Sequence, residues 1–118
     1  MKGTYCLFIH LQKDIHITVG RLGCLFFPQG VYIYVGSALN NLEKRIQRHR
    51  KKDKKMHWHI DYFLQHATIT NILTIETGDK LECSIAHLLS LIPSVQEIPN
   101  FGSSDCQCTS HLFYFLSS

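Results

Sequence analysis

Tyr34-Val35-Gly36-Ser37-Ala38 runs into Leu42-Glu43-Lys44-Arg45-Ile46-Gln47-Arg48-His49. These residue types, in this order, suit the handling of a phosphodiester. Glycine has no Cβ and lets backbone approach a ligand closely; Gly36-Ser37 would do so at the end of a strand. Arginine carries a planar fork of donors that matches phosphate oxygens. On a helix Arg45, Arg48 and Lys52 fall at i, i+3 and i+7 and share a face. Tyr34, at the strand end, would stand next to the bound phosphate.

The charge pattern points the same way. The 118-residue chain has a net charge of +3, from 12 Lys and Arg against 9 Asp and Glu. Between positions 43 and 55, eight basic residues stand against Glu43 and Asp53, a local balance of +6. The rest, with four basic and seven acidic residues, balances at −3. Arg48, Arg50, Lys51, Lys52, Lys54 and Lys55, with Gly36 and Ser37, are therefore the candidate nucleic-acid-binding set. Such contacts hold a polyanion without reading its sequence. The competing reading of a charge run is a solvated face.

The elements that must position these groups follow from periodicity. Residues 3–11, 15–19, 24–27 and 31–35 read as strands, separated by turns at Lys13-Asp14, Gly20 to Gly23 and Pro28 to Gly30. Asn40 predicts the N-cap of a helix, with Glu43 at capping-box spacing. A second helix is expected over 57–67, a strand over 69–76, and a third helix over 80–92. The third helix would bury Leu81, Ile85, Leu88, Leu89 and Ile92. Residues 93–110 read as irregular and 111–116 as a closing strand. The sum is an α/β (α+β) domain over residues 1–118: a small, mostly antiparallel sheet flanked by about three helices.

Composition narrows the class. A 45% hydrophobic and 18% charged chain is not disordered. No apolar run is long enough to span a membrane and no signal peptide is evident, so a cytoplasmic protein with no membrane partner is expected. The five cysteines, Cys6, Cys24, Cys83, Cys106 and Cys108, read as reduced thiols.

Gly3-Thr4-Tyr5 and Tyr34-Val35-Gly36 resemble the paired signature of the GIY-YIG nuclease superfamily. The resemblance extends to a small, mainly prokaryotic branch, sometimes fused to an endonuclease III-type DNA-repair glycosylase. It is carried by Gly23…Phe27-Pro28…Gly30, by Lys55-Met56-His57-Trp58-His59-Ile60-Asp61-Tyr62, by Glu82-Cys83, and by Phe101-Gly102-Ser103-Ser104-Asp105-Cys106-Gln107-Cys108-Thr109-Ser110-His111-Leu112. The chain departs from the superfamily pattern in Thr4 and in the 29 positions between Tyr5 and Tyr34, because residues 12–30 insert a hairpin-like segment.

The resemblance implies a divalent-metal-dependent endonuclease that hydrolyses DNA phosphodiester bonds, in DNA repair or recombination. The alternative is a non-catalytic nucleic-acid-binding module on the same scaffold. It implies Tyr5, Tyr34, Arg45, His49 and Glu82 as catalytic residues and Glu82 as the ligand of one Mg²⁺ or Mn²⁺. Arg45 would stabilise the transition state. Tyr5 or Tyr34 would activate water if positive charge from Arg45, Arg48 and the metal lowered its pKa from about 10. His49 would be a second base or would orient a tyrosine. A DNA-repair glycosylase is the implied protein partner, and the chain is expected to be a monomer or weak dimer.

His57, His59 and Asp61 are expected to support the rim of the site; the competing reading packs Trp58 in the core and has Asp61 hold a histidine by a hydrogen bond. On a strand His57 and His59 could instead share a zinc. Cys83, Cys106, Cys108 and His111 also invite zinc, but the C-x-C spacing departs from the usual knuckle and favours buried thiols.

Overall fold

The computed structural model describes residues 2–38, 40–77, 81–102 and 110–115. Two nine-residue strands, β1 (Gly3–Leu11) and β4 (Gly30–Ala38), pair antiparallel along their whole length. In that register Tyr5 stands opposite Gly36 and Leu7 opposite Tyr34, so the two tyrosine motifs are on neighbouring strands despite their distance in sequence. β5 (Thr68–Glu76) pairs with the other side of β1. β7 (Leu112–Phe115) pairs with β4, and β6 (Val95–Glu97) with β7. The sheet order is β5-β1-β4-β7-β6, antiparallel throughout. The intervening β2 (Ile15–Thr18) and β3 (Cys24–Phe27) form a separate two-stranded sheet, joined by a short 3-10 turn at Gly20–Leu22.

Alternation divides the side chains between two faces. On one lie Tyr5, Leu7, Ile9, Leu11, Tyr32 and Tyr34, packed with Ile17, Val19 and Phe27 of the hairpin and with Leu42, Ile60, Phe63 and Leu64. Those last four belong to α1 (Leu42–Arg50) and α2 (His59–Leu64). On the other lie Cys6, Ile33, Val35 and Phe113, covered by Ile85, Ala86 and Leu89 of α3 (Glu82–Ser90). Both faces of β1 and β4 are thus covered, and these strands read as nearly continuous apolar runs.

The sequence expectations need five adjustments. β4 runs beyond Val35 because β1 continues opposite Gly36, Ser37 and Ala38. The α1 cap is Asn41, not Asn40: its backbone is left-handed, with φ +49°, and its Oδ1 accepts from Lys44 N at 3.2 Å. Glu43 therefore falls one position short of a capping box. α2 starts at His59 because Asp61 Oδ2 takes the N–H groups of His57 and Trp58, at 2.8 and 2.9 Å, and holds Trp58 extended. α3 presents only a narrow stripe to the sheet, so Leu88, Leu91 and Ile92 are exposed and Ala86 is buried instead. β6 lies in the segment expected to be irregular. No helix among the described residues is long and apolar enough to cross a membrane.

Candidate functional site

The end of the sheet where β4 leads into α1 gathers most of the expected site residues. α1 buries Leu42 and His49, two turns apart, against the tyrosine face. The Tyr5 hydroxyl meets His49 Nε2 at 2.6 Å. The Tyr34 ring lies edge-on to the same imidazole, with centroids 6.1 Å apart. Gly36 makes this possible. A Cβ at that position would lie 2.5 Å from the Tyr5 hydroxyl. The glycine expected to admit a ligand is instead filled by the phenol of Tyr5.

Arg45 is held from two directions. Its Nη1 donates to Ser37 O at 3.1 Å, and its guanidinium carbon lies 4.4 Å from the Trp58 ring centroid. The guanidinium of Arg48 lies at the same distance from that ring. Trp58 is half-buried rather than a core residue; it is the platform for both arginines. Sequence reasoning missed this role, and the only signal was an aromatic residue three positions before an aspartate.

Asp61 ties the arginines to the fold. It is fully buried and accepts a two-pronged pair from Arg48, at 2.9 and 3.0 Å. Lys54 Nζ approaches at 3.6 Å. Burial works to raise the Asp61 pKa, but bonds from Arg48 and from the N–H groups of Trp58 and His57 outweigh it and hold the carboxylate below its ordinary range.

The site's electrostatics depart from expectation. Burial pushes Tyr5 well above the ordinary tyrosine range; Arg45 pulls it back, while Glu82 and Asp61 add to the rise. Tyr34 is raised in the same way, by burial and then by Tyr5 and Glu82, against Arg45. Among the chain's own groups, desolvation outweighs the positive charge of Arg45 at both tyrosines. His49 is pushed down to about 3, first by burial and then by Lys54, with Arg45 and Arg48 assisting and Asp61 opposing. It is a neutral imidazole at pH 7. With Nε2 unprotonated it accepts from Tyr5, and Nδ1, buried without a hydrogen-bond partner among the described residues, then carries the proton.

Glu82 arrives from the opposite face, in the first turn of α3. Its side chain is 23% exposed, and Oε2 lies 4.0 Å from Nδ1 of buried His111. His111 in turn accepts from Val35 N through its carbonyl, at 2.9 Å, which sets Glu82 beside the end of β4 that carries Tyr34 and Gly36. Cys83 Sγ lies 4.0 Å from His111 Nε2. Cys106 and Cys108, the other residues considered for zinc, lie outside the described residues, as does Ser103-Ser104-Asp105.

The basic segment divides. Lys52 Nζ donates to the carbonyls of Leu64 and Ala67, and Lys54 Nζ to those of Arg48 and His49. With Arg48 on Asp61, three of the expected phosphate contacts have internal work. Arg50, Lys51 and Lys55 are exposed. Lys44 and Gln47, which the expected binding set left out, join Arg48, Lys51 and Lys54 around a shallow, mostly basic concavity that Asp53 also lines. His57 stands exposed against the edge of Trp58. His59 turns away, its Nδ1 accepting from Gly102 N at 2.9 Å. The two histidines flank Trp58 and do not share the strand face considered for zinc.

No curated protein and no solved structure matches the chain. One family model does, over residues 4–118, which take in every group described above. The chain belongs to the family described as Domain of unknown function DUF123.

Proposed function

We propose that this protein is a divalent-cation-dependent endonuclease that hydrolyses DNA phosphodiester bonds. The observation that carries the reading is the meeting of Tyr5, Tyr34 and His49 with a fixed Arg45, under the electrostatic reach of Glu82. The resemblance of the Tyr5 and Tyr34 motifs to the GIY-YIG signature gives the reaction class.

The donor set fits a hard cation. Glu82 is a partly open carboxylate at the site, and Mg²⁺ commonly takes one or two carboxylates and completes its shell with water and phosphate oxygens. A cation held there would supply charge stabilisation at the leaving oxygen. Every other role falls to the chain. Arg45, restrained by Ser37 O and Trp58, presents a preorganised charge to the phosphoryl oxygens. The Tyr5 oxygen takes a proton from the attacking water as its own passes to His49 Nε2. Water oxygen bonds to phosphorus, the phosphorus–oxygen bond to the leaving group breaks, the leaving oxygen takes a proton from solvent, and His49 releases the relayed proton to solvent. A neutral His49 is the state this relay requires.

One observation favours the non-catalytic binding module instead: Tyr5 and Tyr34 are only 2% and 7% exposed. Cleavage of end-labelled duplex and branched DNA with Mg²⁺ or Mn²⁺ separates the two. On the catalytic reading Arg45→Ala lowers the rate by about 10²–10³, and Glu82→Ala abolishes it. Cleavage indifferent to both substitutions overturns the assignment. Salt-sensitive binding without cleavage selects the module.

A further inference from the structure

β5 is the outer strand of the five-stranded sheet, and its extensive contacts among the described residues are with β1 alone. Natural edges are usually blunted by shortness, proline or lysine. β5 has nine residues, no proline and no lysine, and its single charged residue, Glu76, is its last. Leu73 and Ile75 are 53% and 36% exposed.

The direction of its free backbone groups is fixed. Thr77 N donates to Lys2 O across the β1 side. Alternation then turns the N–H and C=O of Thr74, and those of Ile72 and Glu76, outward. Side chains obey a second alternation. Leu73 pairs with Cys6 and Ile75 with Thr4, so both lie on the α3 side of the sheet, whereas Thr74 pairs with Tyr5 on the other.

We infer that β5 is the interface of a two-fold dimer of this chain, with Thr74 paired to Thr74 of the second copy in an extended antiparallel sheet. The parity of the outward groups requires the axis to pass through a residue, and the exposed Leu73 and Ile75 select Thr74, the one position that places each opposite the other. Thr74 sits on the axis in a hydrogen-bonded pair, Ile72 faces Glu76 of the second copy, and Leu73 faces its Ile75 in the closer, non-hydrogen-bonded spacing. The exposed apolar pair thus covers itself, and each Glu76 meets an isoleucine rather than the other Glu76. A single strand pair buries less than the roughly 1,200 Å² of a typical specific interface, so the dimer is weak and concentration-dependent.

One consequence rests on the nuclease reading, although the dimer does not. An axis normal to the sheet keeps both tyrosine faces on the same side. Tyr5 lies opposite Thr74, so the two Tyr5 positions are about three strand spacings, or ~14 Å, apart. Two sites on one surface suit the two strands of a duplex.

Sedimentation equilibrium on the intact chain, from about 10 µM to 1 mM, should show a monomer–dimer equilibrium. Thr74→Pro removes only an outward N–H, and should weaken dimerisation about tenfold or more while leaving the circular dichroism unchanged. Thr74→Cys in a Cys24→Ser background should form a disulfide-linked dimer under mild oxidation, since directly paired Cα atoms lie about 5.5 Å apart. Thr68→Cys, far from the axis, should not. A monomer throughout the range with no cross-link at position 74 overturns the inference, as does a dimer that survives Thr74→Pro. Neither result depends on whether the protein cleaves DNA.

Discussion

The two faces of the sheet are built on different principles. The tyrosine face is covered by α1, α2 and the β2–β3 hairpin, and its buried polar groups are joined: Tyr5 to His49, Asp61 to Arg48 and to two backbone N–H groups. The opposite face is covered by α3 alone, through Ile85, Ala86 and Leu89, and leaves Leu73, Leu88 and Leu91 more than half exposed. Directional bonds fix the position of a side chain; apolar contact fixes little beyond its burial. The face that must hold groups in register carries the directional bonds. The other contributes burial and delivers one carboxylate, Glu82, around the sheet end.

Asp61→Ala is the most severe test of that contrast. It leaves Lys54, whose side chain is only 5% exposed, without a counter-charge, and removes the acceptor for Arg48 and two backbone N–H groups. Removing one partner of a buried ion pair costs about 3–5 kcal/mol. Because Arg48 is 29% exposed, the lower end is expected. Urea denaturation measures it. A loss under about 1 kcal/mol would mean that the tyrosine face does not depend on its bonds.

Gly36→Ala sharpens the contrast at a single methyl group. The added Cβ meets the hydroxyl end of a Tyr5 ring that is buried and tied to His49. Overpacking of this kind costs about 1–3 kcal/mol. Restoring stability by trimming the ring, in the double variant Gly36→Ala/Tyr5→Leu, would locate the strain in that contact. Strict additivity of the two changes would place it elsewhere.

How much of this could be read in the sequence depends on whether the governing interaction was local. The bounds of β1 and β3 follow from their own residue types, and an insertion of hairpin character between the tyrosine motifs was legible from glycines and alternation. β4 was read too short because Gly36 and Ser37 are poor strand residues; only pairing with β1 carries them into the ladder. The three-residue β6 exists because β7 is beside it. At the site, residue types and spacing pointed to Tyr34 and the arginines of α1, the family resemblance added Tyr5 and the role of His49, and the structure brings Tyr5, Tyr34, Arg45 and His49 together. The direction of the tyrosine pKa shifts was not legible. It depends on burial, which the whole fold sets and which outweighs a nearby arginine. The platform role of Trp58 was hidden for the same reason, since it needs α1 and the start of α2 in contact.

Acid should loosen the tyrosine face first. His49 has an ordinary pKa of about 6.5 when unfolded and about 3 when folded. The unfolded chain therefore binds the proton more readily. The stability from keeping His49 neutral is fully present above pH ~6.5 and is lost as pH falls towards 3. From pH 7 to 5 the loss is about 2 kcal/mol. Asp61, held low, half-buried His59 and buried His111 act in the same direction. His49→Gln should flatten the profile in this window without abolishing it. Equal slopes for the two proteins would exclude a buried neutral His49.

The smallest effect is expected on α3, and it tests the other half of the comparison. Leu88, in the last turn of the helix, is 63% exposed, while Ala86, two positions earlier, is 3% exposed. Leucine and glutamine have similar helix propensities. Leu88→Gln removes almost no buried surface and should change stability by no more than about 0.5 kcal/mol. Ala86→Leu forces three extra carbons against Val35 and Phe113 and should cost about 1–3 kcal/mol. The pair measures how narrow the apolar stripe of α3 is. If Leu88→Gln proved as costly as Ala86→Leu, something must cover the outer side of α3 in solution, and the looseness of this face would belong to the isolated chain alone.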